Sequence, residues 1–595
     1  MPSRKIIAVD CETDPFEHGS FVMPFIWGAY DGEHFQTWRD TDQFIDWLAK
    51  QNCIAYAHNG GKFDYTYLMK YVRRSRIKII GSRMAEMTIG KAVLRDSFSI
   101  VPVGMASIQK TKVDYEKFRA ACREHYMESD IIPYLKDDCV YLYQIVEAFR
   151  KAAGTQITIA SNALKSAKQL GSDPGKTNFR FDRQFRQYYF GGRTECYQAG
   201  EHDNISVVDI VSSYPFAMMQ LHPCGDRREQ RETLDGLTTD EIGRSFIDIE
   251  CYSAGAFPFK ALKHKGTHKI IDGALDDDEY GGLEFPHRFD LYHVTGWEYL
   301  IAKKHGLIRD EKIHCVTVFE ETIDFSAYVL KWFEHKKAHP KNIDPINYTI
   351  GKIMMNSLYG KMGQNPANYF DYEVKDPLSP VDEENGWIRY ATHEDFELHR
   401  RSTTWNWANK YGVDWIKRPL FFNVATGASI TGFARAKLLD AIHAVGADRV
   451  IYCDTDSLAL HPGDNSKLDF GKELGQWELE GVAEKAYFAG KKLYGIRWNE
   501  ATWKKMIKPD DGEKEKEQKR YKVASKGCKL TYEEISRVVS GEKVIWNNPA
   551  PTFSLAKGAH FVTREIRATS PVTKRTKQNE QYEKTGGSES LPQAP

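Results

Sequence analysis

Two apolar segments, near opposite ends of the chain, each run straight into a pair of carboxylates two residues apart. Lys5–Val9 leads into Asp10 and Glu12, and Val450-Ile-Tyr-Cys453 leads into Asp454 and Asp456. Alternate side chains of an extended strand share a face, so each pair projects from one side. Adjacent carboxylates repel unless they are protonated or bridged by cations, and an apolar approach argues that each strand is buried. At 595 residues the chain is long enough for several packed domains rather than one. A D-x-E or D-x-D by itself is most often incidental or a solvated turn, so the argument rests on what accompanies each pair.

The first pair has company. His58-Asn-Gly-Gly-Lys-Phe-Asp64 follows the strand Ile54–Ala57 and supplies a further carboxylate in a turn. Tyr134-Leu-Lys-Asp-Asp138 opens a helix on which Tyr134 and Asp138, at i and i+4, share a face, while Asp137 points away into solvent. Asp10, Glu12, Asp64 and Asp138 could hold two divalent metals, with Tyr134 orienting an attacking water. That is equipment for two-metal hydrolysis of a phosphodiester.

The second pair has company too. In Val207-Val-Asp209-Ile-Val-Ser-Ser-Tyr214-Pro215 a strand ends in a carboxylate and turns at Ser212–Pro215 into a helix. The backbone N–H groups of that turn, with Ser213, could bind a triphosphate, and Asp209 with Asp456 could bridge two magnesium ions, with Asp454 in support. Tyr214 beneath the sugar could reject a 2′-hydroxyl; ordinary core filling is the competing reading. Lys352-Ile-Met-Met-Asn356-Ser357-Leu-Tyr359-Gly360 places positions 352, 356 and 359 on one helix face. Lys352 would grip phosphates, Tyr359 stack on the nascent base pair, and Gly360 leave room for a template strand. Lys336, on a helix over Lys331–Lys337, is either a second phosphate ligand or a solvated charge.

Composition excludes little. Eighty-two Lys and Arg balance 82 Asp and Glu, which argues mildly against a nucleic-acid binder unless the charge is segregated. No apolar run is long enough to cross a bilayer, and no signal-peptide core follows Met1. Ten Cys lack a CxxC pair or a His/Cys cluster, as expected of reduced thiols in a cytosol-like compartment without structural zinc. Residues up to about 150 read as α/β. The polar stretch around Gly171-Ser-Asp-Pro-Gly175 reads as a linker, the acidic Asp272–Gly282 as a surface loop, and the Lys-rich Lys504–Lys529 as a solvated helix or loop.

In this order, D-x-E, N-x-x-x-F-D and Y-x-x-x-D resemble the three exonuclease motifs of the DnaQ-like, RNase H-type proofreading domain. The resemblance implies that Lys110 works near the scissile phosphate. It also implies that Thr13, Asn59, Phe63, Ser97 and Tyr115 hold a frayed single strand, Phe63 and Tyr115 by sequence-tolerant stacking. D-x-x-S-x-Y-P, K-x-x-x-N-S-x-Y-G and Y-x-D-T-D-S resemble motifs A, B and C of family B DNA polymerases, and the full set resembles the protein-primed subgroup typified by the enzyme of Bacillus phage phi-29. Tyr189-Phe-Gly191-Gly192 resembles the Y-x-G-G motif of that group, which links the two active sites. Thr431-Gly-Phe-Ala-Arg435 resembles its T-x-x-G/A-R primer contact, and Lys492-Leu-Tyr494 its K-x-Y grip on the primer terminus. Asn356, Ser357 and Gly360 would be motif B contacts to DNA. Two departures stand out: an extra glycine (Gly60-Gly61) beside Asn59, and Ala434 where the primer motif commonly has glycine.

The resemblance implies an α+β multidomain chain, in which an RNase H-like α/β exonuclease domain precedes a right-hand polymerase. The expected partition is exonuclease 1–162, linker 163–188, palm 189–220 and 423–535, and fingers 326–366. A first terminal-protein-region insertion would span 221–325, and a second, for strand displacement and processivity, 367–422. The thumb would follow at 536–570 and a disordered tail at 571–595. Expected cofactors are two Mg2+ per active site, with Mn2+ able to substitute. Expected partners are primer–template DNA, dNTPs, a terminal protein acting as primer and a single-stranded DNA-binding protein, with no membrane. The chain would work as a phage-encoded monomer in bacterial cytoplasm. The competing readings are a family B polymerase that never meets a terminal protein, and a non-catalytic DNA-binding relative.

Overall fold

The computed structural model describes residues 4–17, 22–72, 76–108, 111–260, 283–403, 419–508, 511–525, 527–555 and 558–568. The acidic loop Asp272–Gly282 and the tail from 571 lie outside the described residues. The chain forms two compact units: Met1–Ser172 with Ala327–Arg418 and Asn547–Val562, and Asp173–Ser326 with Pro419–Trp546 and Thr563–Pro595.

The first unit is organised by a ten-stranded sheet. Its order is Ile388–Thr392, Glu397–Ser402, Phe370–Lys375, Arg76–Ile80, Arg83–Ile89, Ala92–Asp96, Cys53–Ala57, Lys5–Thr13, Pro24–Tyr30 and Phe35–Trp38. Cys53–Ala57 runs parallel to both its neighbours. In Lys5–Thr13, which is parallel to Cys53–Ala57 and antiparallel to Pro24–Tyr30, the run Ile7, Ala8, Val9 is buried on both faces, as an interior strand covered on both sides requires. The helix Thr41–Leu48, capped by Asp40 on the N–H of Gln43, lays Phe44 flat on Trp27 with ring centroids 4.7 Å apart. The longer helix Ile132–Ala153 carries Pro133 in its first turn, where a missing N–H costs nothing, and packs Leu135 and Cys139 against Phe25 and Ile26. The helices Ser326–Ala338 and Pro345–Met362 belong to the same unit, tied by the Tyr328 hydroxyl donating to the carbonyl of Met354.

One expectation is corrected by the structure. Residues 163–188 are not a bare linker. The helices Ile159–Gln169 and Phe179–Arg186 occupy most of them, and Ala163, Leu164, Ala167, Phe179, Phe181 and Phe185 are buried. The polar letters between these residues hide two amphipathic stripes. Within the expected second insertion, Phe370–Lys375 pairs with Arg76–Ile80 and so extends the N-terminal sheet.

The second unit holds a seven-stranded sheet ordered Tyr521–Ser525, Leu493–Trp498, Trp477–Gly490, Gly200–Ile210, Ser457–Leu460, Val450–Asp454 and Thr194–Cys196. The helix Val424–Val445 is apolar nearly all round and correspondingly buried. It sets Leu438, Ala441 and Ile442 against Val208, Ile210 and Val450 of the sheet. A four-stranded antiparallel sheet, in the order His222–Arg231, Ile308–Ile323, Phe246–Ala254 and His287–Thr295, occupies the expected first insertion. The Lys-rich run resolves into the helices Glu500–Met506 and Glu513–Gln518 and the strand Tyr521–Ser525.

Candidate active sites

In the first unit, Asp10, Glu12 and Asp138 each bring a carboxylate oxygen within 4.8 Å of the others. Asp10 and Glu12 arrive at i and i+2 on Lys5–Thr13, just before a bulge at Glu12/Thr13, and Asp138 from the second turn of Ile132–Ala153. Asp64 opens the short helix Asp64–Leu68 rather than sitting in an open turn, and its Oδ1 accepts from the Cys11 Sγ at 3.3 Å. Burial, with the charge of Asp96 adding to it, pushes the Asp64 carboxyl up to about 6. The Tyr134 hydroxyl lies 2.9 Å from that of Tyr115, and burial beside Asp138 drives its phenol far above the ordinary range.

The predicted strand contacts divide. Tyr115 is 49% exposed, and Phe63 sits edge-on to Phe16, Tyr67 and Phe553 at centroid distances of 5.5, 5.6 and 5.1 Å. Thr13 is half-buried, its hydroxyl on the carbonyl of Asp14. Ser97 is a correction: it is fully buried, its Oγ 2.9 Å from Nδ1 of His58 and donating to the carbonyl of Ala57, so no hydroxyl is left for a strand. Lys110 lies outside the described residues. Asp137 is half-buried and accepts from the Thr111 hydroxyl at 2.8 Å.

On Pro345–Met362 the residues Ile350, Gly351, Met354, Met355, Leu358 and Met362 turn inward. Lys352 and Gly360 are exposed, and Asn356 and Tyr359 are half-buried. The Asn356 amide and the Ser357 hydroxyl bond to carbonyls of their own helix, at Lys352 and Ile353. Lys336 reaches over the ring of Phe333 at 5.0 Å.

The second acidic centre lies wholly within the second unit. Asp209 pairs in register with Ser457, and the N–H of Ile210 donates to the carbonyl of Asp456, so the two carboxylates end neighbouring strands. Burial followed by the charge of Asp456 lifts Asp209 to about 7, and burial followed by the charge of Asp454 lifts Asp456 to about 6. Asp454 accepts from Lys492 Nζ at 2.8 and 2.7 Å and from Thr194 Oγ1 at 2.8 Å. The hairpin tip is a γ-turn, with Asp456 N–H donating to the Asp454 carbonyl at 2.6 Å around Thr455 at φ +64°. Ser212 at +52° and Lys492 at +51° also have positive φ, which is uncommon outside glycine and tends to gather at functional sites. Tyr214 is half-buried, and Ser213 is buried with its hydroxyl lacking a partner among the described residues. Tyr494 packs on Tyr452 and Phe488 at 5.1 and 5.6 Å.

Thr431 and Arg435 are further corrections. Both are buried, at 1% and 2% exposure, and Thr431 bonds the carbonyl of Ala428. The Arg435 Nε and Nη2 donate to buried Glu298 at 2.8 and 3.0 Å, and Nη1 donates to the carbonyls of Phe190 and Gly191. The guanidinium therefore holds the Tyr189–Gly192 backbone, not a primer phosphate. Tyr189 is half-buried and Gly191 exposed, while a Cβ on Gly192 would stand 2.6 Å from the Thr455 hydroxyl. Arg435 thus fixes a segment that in turn abuts the Asp454–Asp456 hairpin. Arg435→Ala leaves Glu298 charged and buried, and we expect a loss of about 3–5 kcal/mol in unfolding free energy. The salt slope of DNA binding should stay at its wild-type value, because no phosphate contact is removed; a shallower slope would restore the primer-contact reading.

Sequence reasoning missed Glu480 and Lys522. Lys522 Nζ grips Glu480 at 2.6 and 2.5 Å, and the two bear on Asp209 with opposite sign. Their signals were weak: a carboxylate on a strand, and one lysine inside a Lys-rich run. The lifted carboxyls make stability depend on pH. Free of divalent ions, folded Asp209, Asp456 and Asp64 keep protons over a range where unfolded carboxyls, near 4, have lost them. Stability therefore falls as pH rises from about 4 to about 7. In EDTA, Asp209→Asn should melt above wild type by a margin that widens across this window and closes with excess Mg2+. A margin independent of pH would contradict proton retention by Asp209 as its cause.

The chain belongs to the family described as DNA polymerase type B, organellar and viral, whose model matches residues 106–411. Within it the chain is a DNA-directed DNA polymerase of phage type, related to that of phi-29. It is 34% identical over 591 residues to the DNA-directed DNA polymerase of Enterobacteria phage PRD1, covering 95% of this chain and 98% of that one. It is 24% identical over 552 residues to the DNA polymerase of Bacillus phage phi29, covering 83% and 86% respectively. The phi29 polymerase solved with primer-template DNA and incoming nucleotide superposes with a TM-score of 0.66 at 18% identity, over 96% of this chain and all of that one. The multidomain fold read from the sequence agrees with that match. Among the described residues no helix is long and apolar enough to cross a membrane.

Proposed function

We propose that this polymerase replicates a linear genome from a protein primer, edits its own 3′ ends and displaces the strand ahead of it. The observation that carries the pairing of synthesis with editing is the presence of two acidic centres, one in each unit: half-buried Asp10 with buried Glu12 and Asp138 in the first, and half-buried Asp209 and Asp456 on neighbouring strands in the second. Asp10, Glu12, Asp64 and Asp138 offer the hard oxygen donors that suit magnesium, with manganese as a substitute, and so do Asp209 and Asp456. At each centre the ions would supply Lewis acidity, lowering the pKa of an attacking oxygen and neutralising a leaving phosphate.

The protein's own groups take the remaining roles. Tyr134 keeps its proton at neutral pH, so it can orient a water through its hydroxyl but cannot act as the base. Phe63 and Tyr115 present rings for unstacked bases of any sequence, and Lys110 would neutralise the scissile phosphate. In the synthetic centre, Lys492 is paired with Asp454, and a primer phosphate would draw it away. Tyr214 would exclude a 2′-hydroxyl. Lys352, Lys336 and Tyr359 are read as contacts for triphosphate and base. The partners are primer–template DNA, dNTPs, a terminal protein supplying the priming hydroxyl and a single-stranded DNA-binding protein, and the chain acts as a monomer in the host bacterial cytoplasm.

The test is extension of a DNA primer on a single-stranded circle with Mg2+ and dNTPs, read on a denaturing gel. Products several circles long support synthesis with displacement, and products ending at one circle remove displacement. Transfer of a labelled dNMP onto terminal protein in the absence of DNA primer tests protein priming, and its failure with the cognate protein removes that part.

A further inference from the structure

Arg83 has no place in the motifs, yet it stands beside one of them. Its Nη1 donates to Oδ1 of Asn59 at 2.7 Å and to Oδ2 of Asp96 at 2.6 Å, and its guanidinium lies 4.3 Å from the ring centroid of Phe98. The Asp96 side chain is wholly buried, and its other oxygen accepts from the Phe98 N–H at 2.9 Å. Held by a buried charge on its edge and an aromatic ring on its face, the guanidinium has little freedom to turn.

Asn59 is held as firmly from the backbone side. It sits at φ +65°, in the left-handed region that asparagine tolerates, immediately before Gly60 and Gly61. Gly61 passes so close to the neighbouring strand that a Cβ would lie 1.9 Å from the carbonyl oxygen of Met84, which accounts for the extra glycine in this motif. Arginine can only donate, so the atom of Asn59 that faces it has to be the carbonyl oxygen. The Nδ2 amino group then lies on the other side of a half-buried side chain, and it has no hydrogen-bond partner among the described residues.

We propose that Arg83 is a positioning residue for the degradative site: it fixes the rotation of the Asn59 amide so that Nδ2 is presented as a donor to an acceptor on the substrate strand. This rests on reading the first unit as a 3′–5′ exonuclease. A free amide can flip and offer oxygen to a phosphate or a base carbonyl, which repels it. An amide locked by Arg83 offers only the donor. The sign of the interaction is set one residue away from the strand.

The experiment uses the full chain and a 5′-labelled single-stranded oligonucleotide, with affinity measured by anisotropy in Ca2+ and turnover in Mg2+. Variants are made in the wild-type chain, where Asp96 holds Arg83, and a thermal melt shows whether each folds. Against wild type, Arg83→Met, or Arg83→Lys where the methionine chain does not fold, should raise both Kd and KM about tenfold, the scale of one lost charge-assisted hydrogen bond, with kcat nearly unchanged. Asn59→Ala should do the same, and the double variant should be no worse than either. Additive losses would mean that Arg83 touches the strand directly, and an unchanged Kd on removing Arg83 would mean that it serves the fold alone; either overturns the proposal. Wild-type chain that binds the oligonucleotide but leaves it intact in Mg2+ overturns the exonuclease reading, a result visible before any variant is made.

Discussion

Asp456→Asn should lower primer extension roughly a thousandfold or more while 3′-end degradation of a single strand continues at the wild-type rate. A cation at such a site supplies several kcal/mol of charge stabilisation, and each 1.36 kcal/mol is a factor of ten in rate. Asn keeps the shape of the hairpin tip and removes the negative charge on which ion binding depends. Because Asp456 lies within the second unit, the carboxylates around Asp10 should not register the change. Single-turnover incorporation and oligonucleotide digestion, run on the same preparation, measure both. Equal loss of the two activities would contradict separate centres.

Asp10→Ala combined with Asp64→Ala gives the mirror result. Degradation should fall by a comparable factor, extension should persist, and mismatched primer ends should survive in the products. A further signature follows from burial. Asp64 is almost fully enclosed among other carboxylates, and removing it from the ion-free chain relieves repulsion. The double variant should therefore melt at or above the wild-type temperature in EDTA, the opposite of what loss of a structural residue produces. A lower midpoint in EDTA would recast these carboxylates as parts of the fold.

The carboxylates were legible because simple periodicities expose them. Strand alternation puts Asp10 with Glu12, and helical spacing puts Tyr134 with Asp138. What a motif does not encode is the direction in which its side chain works. Ser97, Thr431 and Arg435 occupy the positions expected of them, but each faces protein: His58, the Ala428 carbonyl and Glu298 respectively. Arg83 was illegible for the converse reason, since its partners Asn59 and Asp96 come from different segments and no local pattern joins them. The helix Ile159–Gln169 escaped notice because Ser, Lys and Gln dilute the stripe formed by Ala163, Leu164 and Ala167. The continuation of the N-terminal sheet by Phe370–Lys375 left no trace in either strand's own letters.

That last pairing bears on how the chain is made. Arg76–Ile80 leaves the ribosome early, and the strand that covers its outer edge follows about 300 residues later. At roughly 5–20 residues per second, the edge stays bare for about 15–60 s of synthesis. An uncovered strand edge recruits other strands, so nascent chains crowded on one message are exposed to intermolecular pairing for all of that time. Fragments ending short of Phe370 should collect as aggregates, whereas those reaching past Ser402 should remain dispersed, and yield in a heterologous host should respond to slower initiation or an added holdase more than to any change in the mature fold.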